Sequence, residues 1–229
     1  MKSFKKQAGF TLVEIAIVLV IVGLLLAGVL KGQELIENSR IKAIANDMRA
    51  VQAATTGYQD RYRAIPGDET AAAMAARGWV ASAAAGGGNG NGALLITAAN
   101  AFVNAGESRP FWRAMRASLL LAGDPVGAAG AVGLPRHSGG GLMAVVSDPA
   151  GVYGQPGMSV CVAGLNTKQA SGIDVLIDGP LPATQIGNNI GDVRSATGLA
   201  NPLIPVAAAP VGVAYDESVV TTWTVCMRM

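Results

Sequence analysis

The sequence predicts an α+β fold, with one long N-terminal helix packed through its C-terminal half on a small antiparallel β-sheet head, and a long, partly helical connection between them. Three observations predict it: an uninterrupted apolar run near the N-terminus, an amphipathic helical stripe that continues the run without a break, and short valine-rich segments beyond Gly141. The chain has 229 residues, enough for one sizeable core with a long helix attached. Hydrophobic residues make up 51% and charged residues 14%, which places it toward the membrane-associated end of ordinary compositions. A formal charge of +2 is too small for nucleic-acid binding by bulk electrostatics.

The N-terminus is the most informative segment. Lys2, Lys5 and Lys6 form a basic leader with no acidic residue among them, and the apolar run Phe10 to Leu30 follows. A run of this length spans about 30 Å of hydrocarbon as a helix, and the lysines keep the N-terminus cytoplasmic by the positive-inside rule. A secretory signal peptide would have a shorter apolar region and a small-residue cleavage site after it. Ala27 and Gly28 are small, but the helical pattern runs past them into charged sequence. A plain single-pass anchor fits the length and leaves Glu14 without a reason. A carboxylate in a spanning helix costs on the order of 2.5–3.5 kcal/mol, and such residues usually have a function.

Gly9-Phe10-Thr11-Leu12-Val13-Glu14, after a short basic leader and ahead of an apolar helix, resembles the processing motif of type IV prepilins, with class III-type cleavage. The resemblance is strongest from Met1 to about Pro66. It implies a pilin-like fold, cleavage by a prepilin peptidase between Gly9 and Phe10, and methylation of the new amino group on Phe10. It also implies that Glu14 pairs with the Phe10 amine of a neighbouring subunit. The residue chemistry agrees: glycine lets a protease approach the backbone closely, and an amine–carboxylate pair would neutralise two charges that are costly in lipid. Many pilins carry a proline near the end of the membrane helix, and this segment has none. Gly23, Gly28 and Gly32 offer either local flexibility, at about 1 kcal/mol each relative to alanine, or close-packing points between helices.

Beyond Leu30 the pattern becomes amphipathic. Ile41, Ile44, Met48, Val51, Thr55, Tyr58, Tyr62 and Ile65 recur at spacings of three and four, with Lys42, Arg49, Gln59 and Arg63 pointing elsewhere. Pro66-Gly67 ends the helix, which from Phe10 to about Ala64 would be about 80 Å long. The expected organisation is a leader at 1–9, a membrane and filament-core helix at 10–30, its amphipathic half at 31–65, a helical and glycine-rich connection at 66–140, and a β-sheet head at 141–229 containing the disulfide-bounded region.

Within the connection, helices are expected over Thr70 to Arg77, Ala93 to Ala105 and Pro110 to Ala122, the last capped by Gly123. Gly86 to Gly92 reads as a flexible tip and lacks the Lys-Ser or Lys-Thr of a phosphate-binding loop. Arg109, Arg113 and Arg116 give the third helix a basic side, read as a solvated face, with DNA or another anionic or surface ligand as the functional alternative. Strands are expected at Leu142 to Ser147, Met158 to Ala163, Ile173 to Ile177, Val211 to Tyr215 and Val219 to Met227.

Cys161 and Cys226 are the two cysteines. In a reducing compartment they would be buried thiols or a redox pair, and no C-x-x-C spacing supports the latter. If the apolar helix carries the rest of the chain across the membrane, a disulfide is the better reading. It would close a loop of roughly 65 residues, for which chain entropy allows about 4 kcal/mol. The resemblance places a disulfide-bounded variable region in this part of the chain.

Catalytic chemistry has little support. His137 is the single histidine, and no G-x-S-x-G turn accompanies it. Too few histidines and cysteines remain for a zinc site. Asp174, Asp178 and Asp192 supply oxygen ligands of the kind calcium takes, but their spacing matches no EF-hand loop and aspartate beside glycine usually makes a turn. No enzyme activity, metal or cofactor is therefore expected. The resemblance implies a homo-oligomeric filament, with the peptidase, an assembly platform and a cytoplasmic ATPase as partners. It implies location in the inner membrane before assembly, and in an extracellular pilus or periplasmic pseudopilus afterwards. Major pilin, minor pilin, type II secretion pseudopilin, and a DNA-binding or adhesive module displayed on a pilus remain the alternatives.

Overall fold

A computed structural model describes residues 11–127, 133–180, 189–206, 208–209, 212, 214–219 and 221–229. The chain divides into two compact units, Met1–Ser39 and Arg40–Met229. Helix α1 (Leu12–Tyr62) supplies all the described secondary structure of the first unit and begins the second. The other elements are α2 (Ala71–Ala76), α3 (Val80–Ala84), α4 (Ala98–Ala101), α5 (Ser108–Ala117), β1 (Met143–Ser147), β2 (Met158–Leu165), α6 (Thr167–Asp178), β3 (Val193–Gly198) and β4 (Thr222–Arg228). The fold is α+β and pilin-like: a long N-terminal apolar helix and a small four-stranded antiparallel sheet.

In the second unit the expected stripe on α1 is the buried one. Ile41, Ile44, Met48, Val51, Thr55 and Tyr58 are buried, joined by Ala45 and Ala54, while Tyr62 and Ile65 are half-buried at the edge of the core. Lys42, Arg49, Gln59 and Arg63 lie off that stripe, outside the buried set. The helix stops at Tyr62, ahead of Pro66, because Arg63 adopts a left-handed conformation (φ 53°). Gly67 (φ 92°) follows with no room for a side chain, since a Cβ there would lie 2.8 Å from Phe111 Cβ.

The sheet has the order β1-β2-β4-β3, with every neighbouring pair antiparallel. β2 and β4 are the central strands and are buried on successive residues, so both sheet faces are covered. Val145, Val160, Val162, Val225 and Met227 form one core with the α1 stripe, Ile96, Phe111, Trp112 and Met115. Phe111 and Trp112 meet edge to face, with ring centroids 5.0 Å apart.

Several expected elements differ. Ile173 to Ile177 is not a strand but the second half of α6, whose start is fixed by a capping box: Asn166 Oδ1 accepts from Gln169 N and the Gln169 side chain accepts from Asn166 N. Gly172 sits in that helix where a Cβ would come 2.7 Å from Ile41 Cδ1. Strand β3 has no counterpart among the expected elements. The strand expected at Val211 to Tyr215 lies partly outside the described residues, and Gly212, Ala214 and Tyr215 are not strand. The helix expected at Ala93 to Ala105 shrinks to α4, and α5 ends at Ala117 rather than near Gly123, with Ser118 as its C-cap and Leu119 left-handed (φ 62°).

The glycine-rich segment is not a free tip. Asp68 Oδ1 accepts from Asn91 N at 3.0 Å and Asp68 Oδ2 from Gly92 N at 2.9 Å. Gly88 N donates to Glu69 O at 2.7 Å and Gly90 N to Asp68 O at 2.7 Å. Gly87 and Gly88 lie against the 67–71 backbone so closely that a Cβ on Gly88 would be 2.1 Å from Gly67 O.

Candidate functional site

The N-terminal segment contains the motif. Gly9, Phe10 and the leader lysines Lys2, Lys5 and Lys6 lie outside the described residues, and the site begins at Thr11. Thr11 precedes the first helical residue, and Glu14 stands three positions on. Thr11 Oγ1 accepts from Glu14 N at 3.3 Å, while Glu14 Oε2 accepts from Thr11 N and from Thr11 Oγ1, each at 2.8 Å. This is a reciprocal capping box, which satisfies two amide donors that a helix start leaves open. The Thr-Leu-Val-Glu spacing of its Ser/Thr-x-x-Glu signature is visible in the sequence.

Leu12 to Leu30 is exposed on every side, with Leu12 88%, Leu19 67% and Leu24 70% accessible. An all-round apolar surface belongs in lipid or against other helices. This helix is long and apolar enough to cross a membrane, with a mean hydropathy of 2.9 over its best window. Gly23, Gly28 and Gly32 sit in unbroken helix with open space around them. The first ion pair beyond the apolar run joins Lys31 Nζ to Glu34 Oε2 at 2.7 Å.

In the second unit Cys161 and Cys226 form a disulfide. They are directly opposed in the β2–β4 register, and both are fully buried.

The basic face of α5 is not solvated. Arg113 is 1% exposed and Arg116 is buried. Arg113 Nε donates to Val126 O at 2.6 Å, its Nη2 to Gly127 O at 3.3 Å and its Nη1 to Ala85 O. Arg116 Nη2 donates to Gly133 O at 3.0 Å. These guanidiniums tie irregular segments to α5, so the three arginines do not make an open surface for DNA. The i, i+3, i+4 spacing marks a common face but not whether loops cover it.

His137 is committed structurally: Nε2 donates to Ala163 O at 3.0 Å and Nδ1 accepts from Gly139 N at 3.0 Å. Ser138 N and Oγ both donate to Asp47 Oδ2 at 2.6 Å, which fastens this turn to α1. The three aspartates have separate partners. Asp174 Oδ2 accepts from Tyr215 Oη at 2.7 Å, Asp178 Oδ2 from Val193 N at 2.8 Å, and Asp192 Oδ1 pairs with Arg228 at 2.6 Å. Among the described residues no group of three or more histidine, cysteine or acidic side chains is arranged to hold a metal ion.

Residues 4–30 match the family described as the prokaryotic N-terminal methylation motif, which is the class III signal of type IV pilins and pseudopilins. With the long apolar helix, the disulfide and the pilin-like α+β fold, the motif supports a pilin-like or pseudopilin subunit, a structural role rather than an enzymatic one. No characterised protein and no solved structure matches the chain.

Proposed function

We propose that the chain is the precursor of a structural subunit of a type IV pilus-like filament. It inserts in the inner membrane with its N-terminus in the cytoplasm. A prepilin peptidase removes residues 1–9 and methylates Phe10. Subunits then dock side by side through residues 10–30, and the Phe10 amine of one subunit meets Glu14 of the next. The amphipathic half at 31–65, the connection at 66–140 and the head at 141–229 would form the outer part of each subunit.

One observation carries this reading: the methylation motif at residues 4–30 overlaps a fully exposed apolar stretch of α1, Leu12 to Leu30, that holds a single carboxylate, Glu14. Such a surface needs lipid before assembly and other helices after it. An amine–carboxylate pair inside that packing favours one register, because any other leaves a charge unpaired at low dielectric. Pseudopilin and minor pilin are the alternatives within the same class.

Intact mass of membrane-extracted protein tests the reading, with and without active prepilin peptidase, for wild type and Gly9→Ala. Peptidase-dependent loss of Met1 to Gly9 with gain of one methyl group, blocked in the variant, is the expected result. An uncut, unmethylated chain in the presence of active peptidase would overturn it. Loss of surface fibres or of protein secretion on deletion then separates pilus from pseudopilus.

A further inference from the structure

Two asparagine–glycine pairs, Asn89-Gly90 and Asn91-Gly92, stand in the glycine-rich segment held by Asp68, and all four residues are exposed. An asparagine before glycine can react with its own backbone. The glycine nitrogen attacks the side-chain amide carbon, and no Cβ hinders the approach. A base on that nitrogen and a donor at the amide oxygen both promote the attack. The fold supplies both at Asn91. Asp68 Oδ2 accepts from Gly92 N at 2.9 Å. Ala93 N donates to Asn91 Oδ1 at 2.9 Å, which folds the side-chain amide back along the Asn91–Gly92 peptide.

Asn89 provides the contrast within the same segment. Its amide oxygen also has a donor, since Asn91 N reaches Asn89 Oδ1 at 2.9 Å, but that N–H is shared with Asp68 Oδ1 at 3.0 Å. Its nucleophile, Gly90 N, donates at 2.7 Å to the main-chain oxygen of Asp68, a peptide carbonyl with no basic character. Asp68 thus turns its carboxylate to one pair and its carbonyl to the other. Asp68 is buried, and its carboxylate is fixed by the Asn91 and Gly92 amides. The adjoining carboxylate, Glu69, is engaged by Tyr58 Oη and Arg77 Nη2.

We propose that Asn91 is a site of self-catalysed deamidation, with Asp68 as the general base. Gly92 N bonds to Asn91 Cγ as its proton passes to Asp68 Oδ2, and the Ala93 N–H faces the negative charge that develops on Oδ1. The Cγ–Nδ2 bond then breaks. Nδ2 leaves as ammonia with the proton returned by Asp68, and a succinimide remains. Water opens that ring at either carbonyl, leaving aspartate where the Gly92 N–Cγ bond breaks and isoaspartate where the original peptide bond breaks. Either product sets a second carboxylate beside Asp68, and like charges so close oppose the clamp that holds the segment. The inference is independent of processing at Gly9.

The test incubates the full chain in detergent micelles at pH 6 and pH 8, folded and in urea, and follows the acid products at positions 89 and 91 by peptide mass spectrometry. In the folded chain at pH 6, position 91 should convert faster than position 89 by about tenfold or more, as a positioned base implies. In urea both are plain asparagine–glycine pairs and should convert at similar rates. At pH 8 the folded ratio should shrink, because hydroxide accelerates position 89 while the carboxylate route at 91 does not depend on it. Asp68→Asn should bring position 91 down to the rate of position 89. Because that variant also weakens the clamp, the wild-type pH comparison serves as the independent readout. Equal folded rates at 89 and 91 at pH 6 would overturn the proposal. So would faster conversion of position 91 in urea than in the folded chain, which would make the clamp protective.

Discussion

Thr11 and Glu14 cap each other, and both bonds that Thr11 donates fall on Oε2 of the carboxylate. A carboxylate has a second oxygen able to accept. The cap is therefore compatible with the proposed meeting of Glu14 and a neighbouring amine, and it presets the side chain on the first turn of α1. Glu14 thus has two separable jobs: a hydrogen-bond acceptor for its own helix and, in the proposed filament, a counter-charge for the next subunit.

Two substitutions separate these jobs. Thr11→Val removes the cap at a cost of about 1 kcal/mol, so amide exchange over Val13 to Ile15 in micelles should quicken about fivefold. Glu14→Gln keeps an acceptor where a capping box tolerates glutamine and removes the charge. Its first-turn exchange should stay close to wild type while filament yield collapses. Wild-type filament yield from Glu14→Gln would remove charge pairing from the assembly proposal and leave apolar packing alone.

The disulfide holds β4, the last strand, to β2 at a directly opposed and fully buried pair. Chain entropy for a 65-residue separation predicts about 4 kcal/mol, and loss of native disulfides typically costs about 2–5 kcal/mol. Replacing both cysteines by alanine should lower the unfolding free energy by about 2–4 kcal/mol in a denaturant titration. Reductant should reproduce the loss in wild type only under conditions that open the sheet, because neither sulfur is accessible in the fold. A double variant as stable as wild type would show that sheet packing alone holds β4.

The parts legible in the sequence are those with a strong local period or a rare combination of residues. The α1 stripe from Ile41 to Tyr58 reads directly because three- and four-residue spacings persist over several turns. The motif around Gly9 and Glu14 reads because a carboxylate in an apolar run needs a reason. Ile173 to Ile177 misleads because isoleucine and valine dominate a short run, and periodicity cannot separate a short strand from a helix segment. The Asn166-Thr-Lys-Gln169 capping box is the signal that identifies the helix. β3, with the sequence Val-Arg-Ser-Ala-Thr-Gly, has little strand character of its own and owes its conformation to pairing with β4. The burial of Arg113 and Arg116 is hidden for a related reason, since the carbonyls that hold them come from irregular segments 13 to 28 residues away.

His137 should make the head acid-sensitive. Its neutral ring donates from Nε2 and accepts at Nδ1, so protonation would set an Nδ1–H against the Gly139 N–H. Burial holds its pKa below the ordinary 6.5, outweighing the Ala163 carbonyl and Asp47, which favour the cation, while Arg136 opposes it. The unfolded chain therefore takes up the proton first. Stability from this site is complete above about pH 6.5 and is lost as pH falls through the lower folded value. His137→Gln should be less stable than wild type at pH 7.5, by about 1 kcal/mol or more, and should show a flatter decline toward pH 5. Equal slopes for the two proteins would assign the acid sensitivity elsewhere.

Asp174 acts with the opposite sign. It is buried on α6, its Oδ1 has no hydrogen-bond partner, and its Oδ2 receives the Tyr215 hydroxyl, which also meets Ser195 Oγ at 2.9 Å. Burial raises its pKa to about 6, the Tyr215 hydrogen bond pulls it down, and the charge of Asp178 adds to the rise. The folded chain thus holds this proton more tightly than the unfolded one, whose value is 3.8. The resulting stabilisation is complete below pH 3.8 and is lost as pH rises through about 6. Asp174→Asn keeps an acceptor for Tyr215 and removes the charge. It should gain about 1–2 kcal/mol at pH 7.5, less than the whole shift converts to because the site is partly polar, and gain nothing near pH 4. The same substitution exposes the His137 limb, since the two sites oppose each other between pH 4 and 6. Chemical denaturation at pH 4, 5, 6 and 7.5 measures this directly. A gain that does not vary with pH would show that Asp174→Asn improves packing rather than relieving a buried charge.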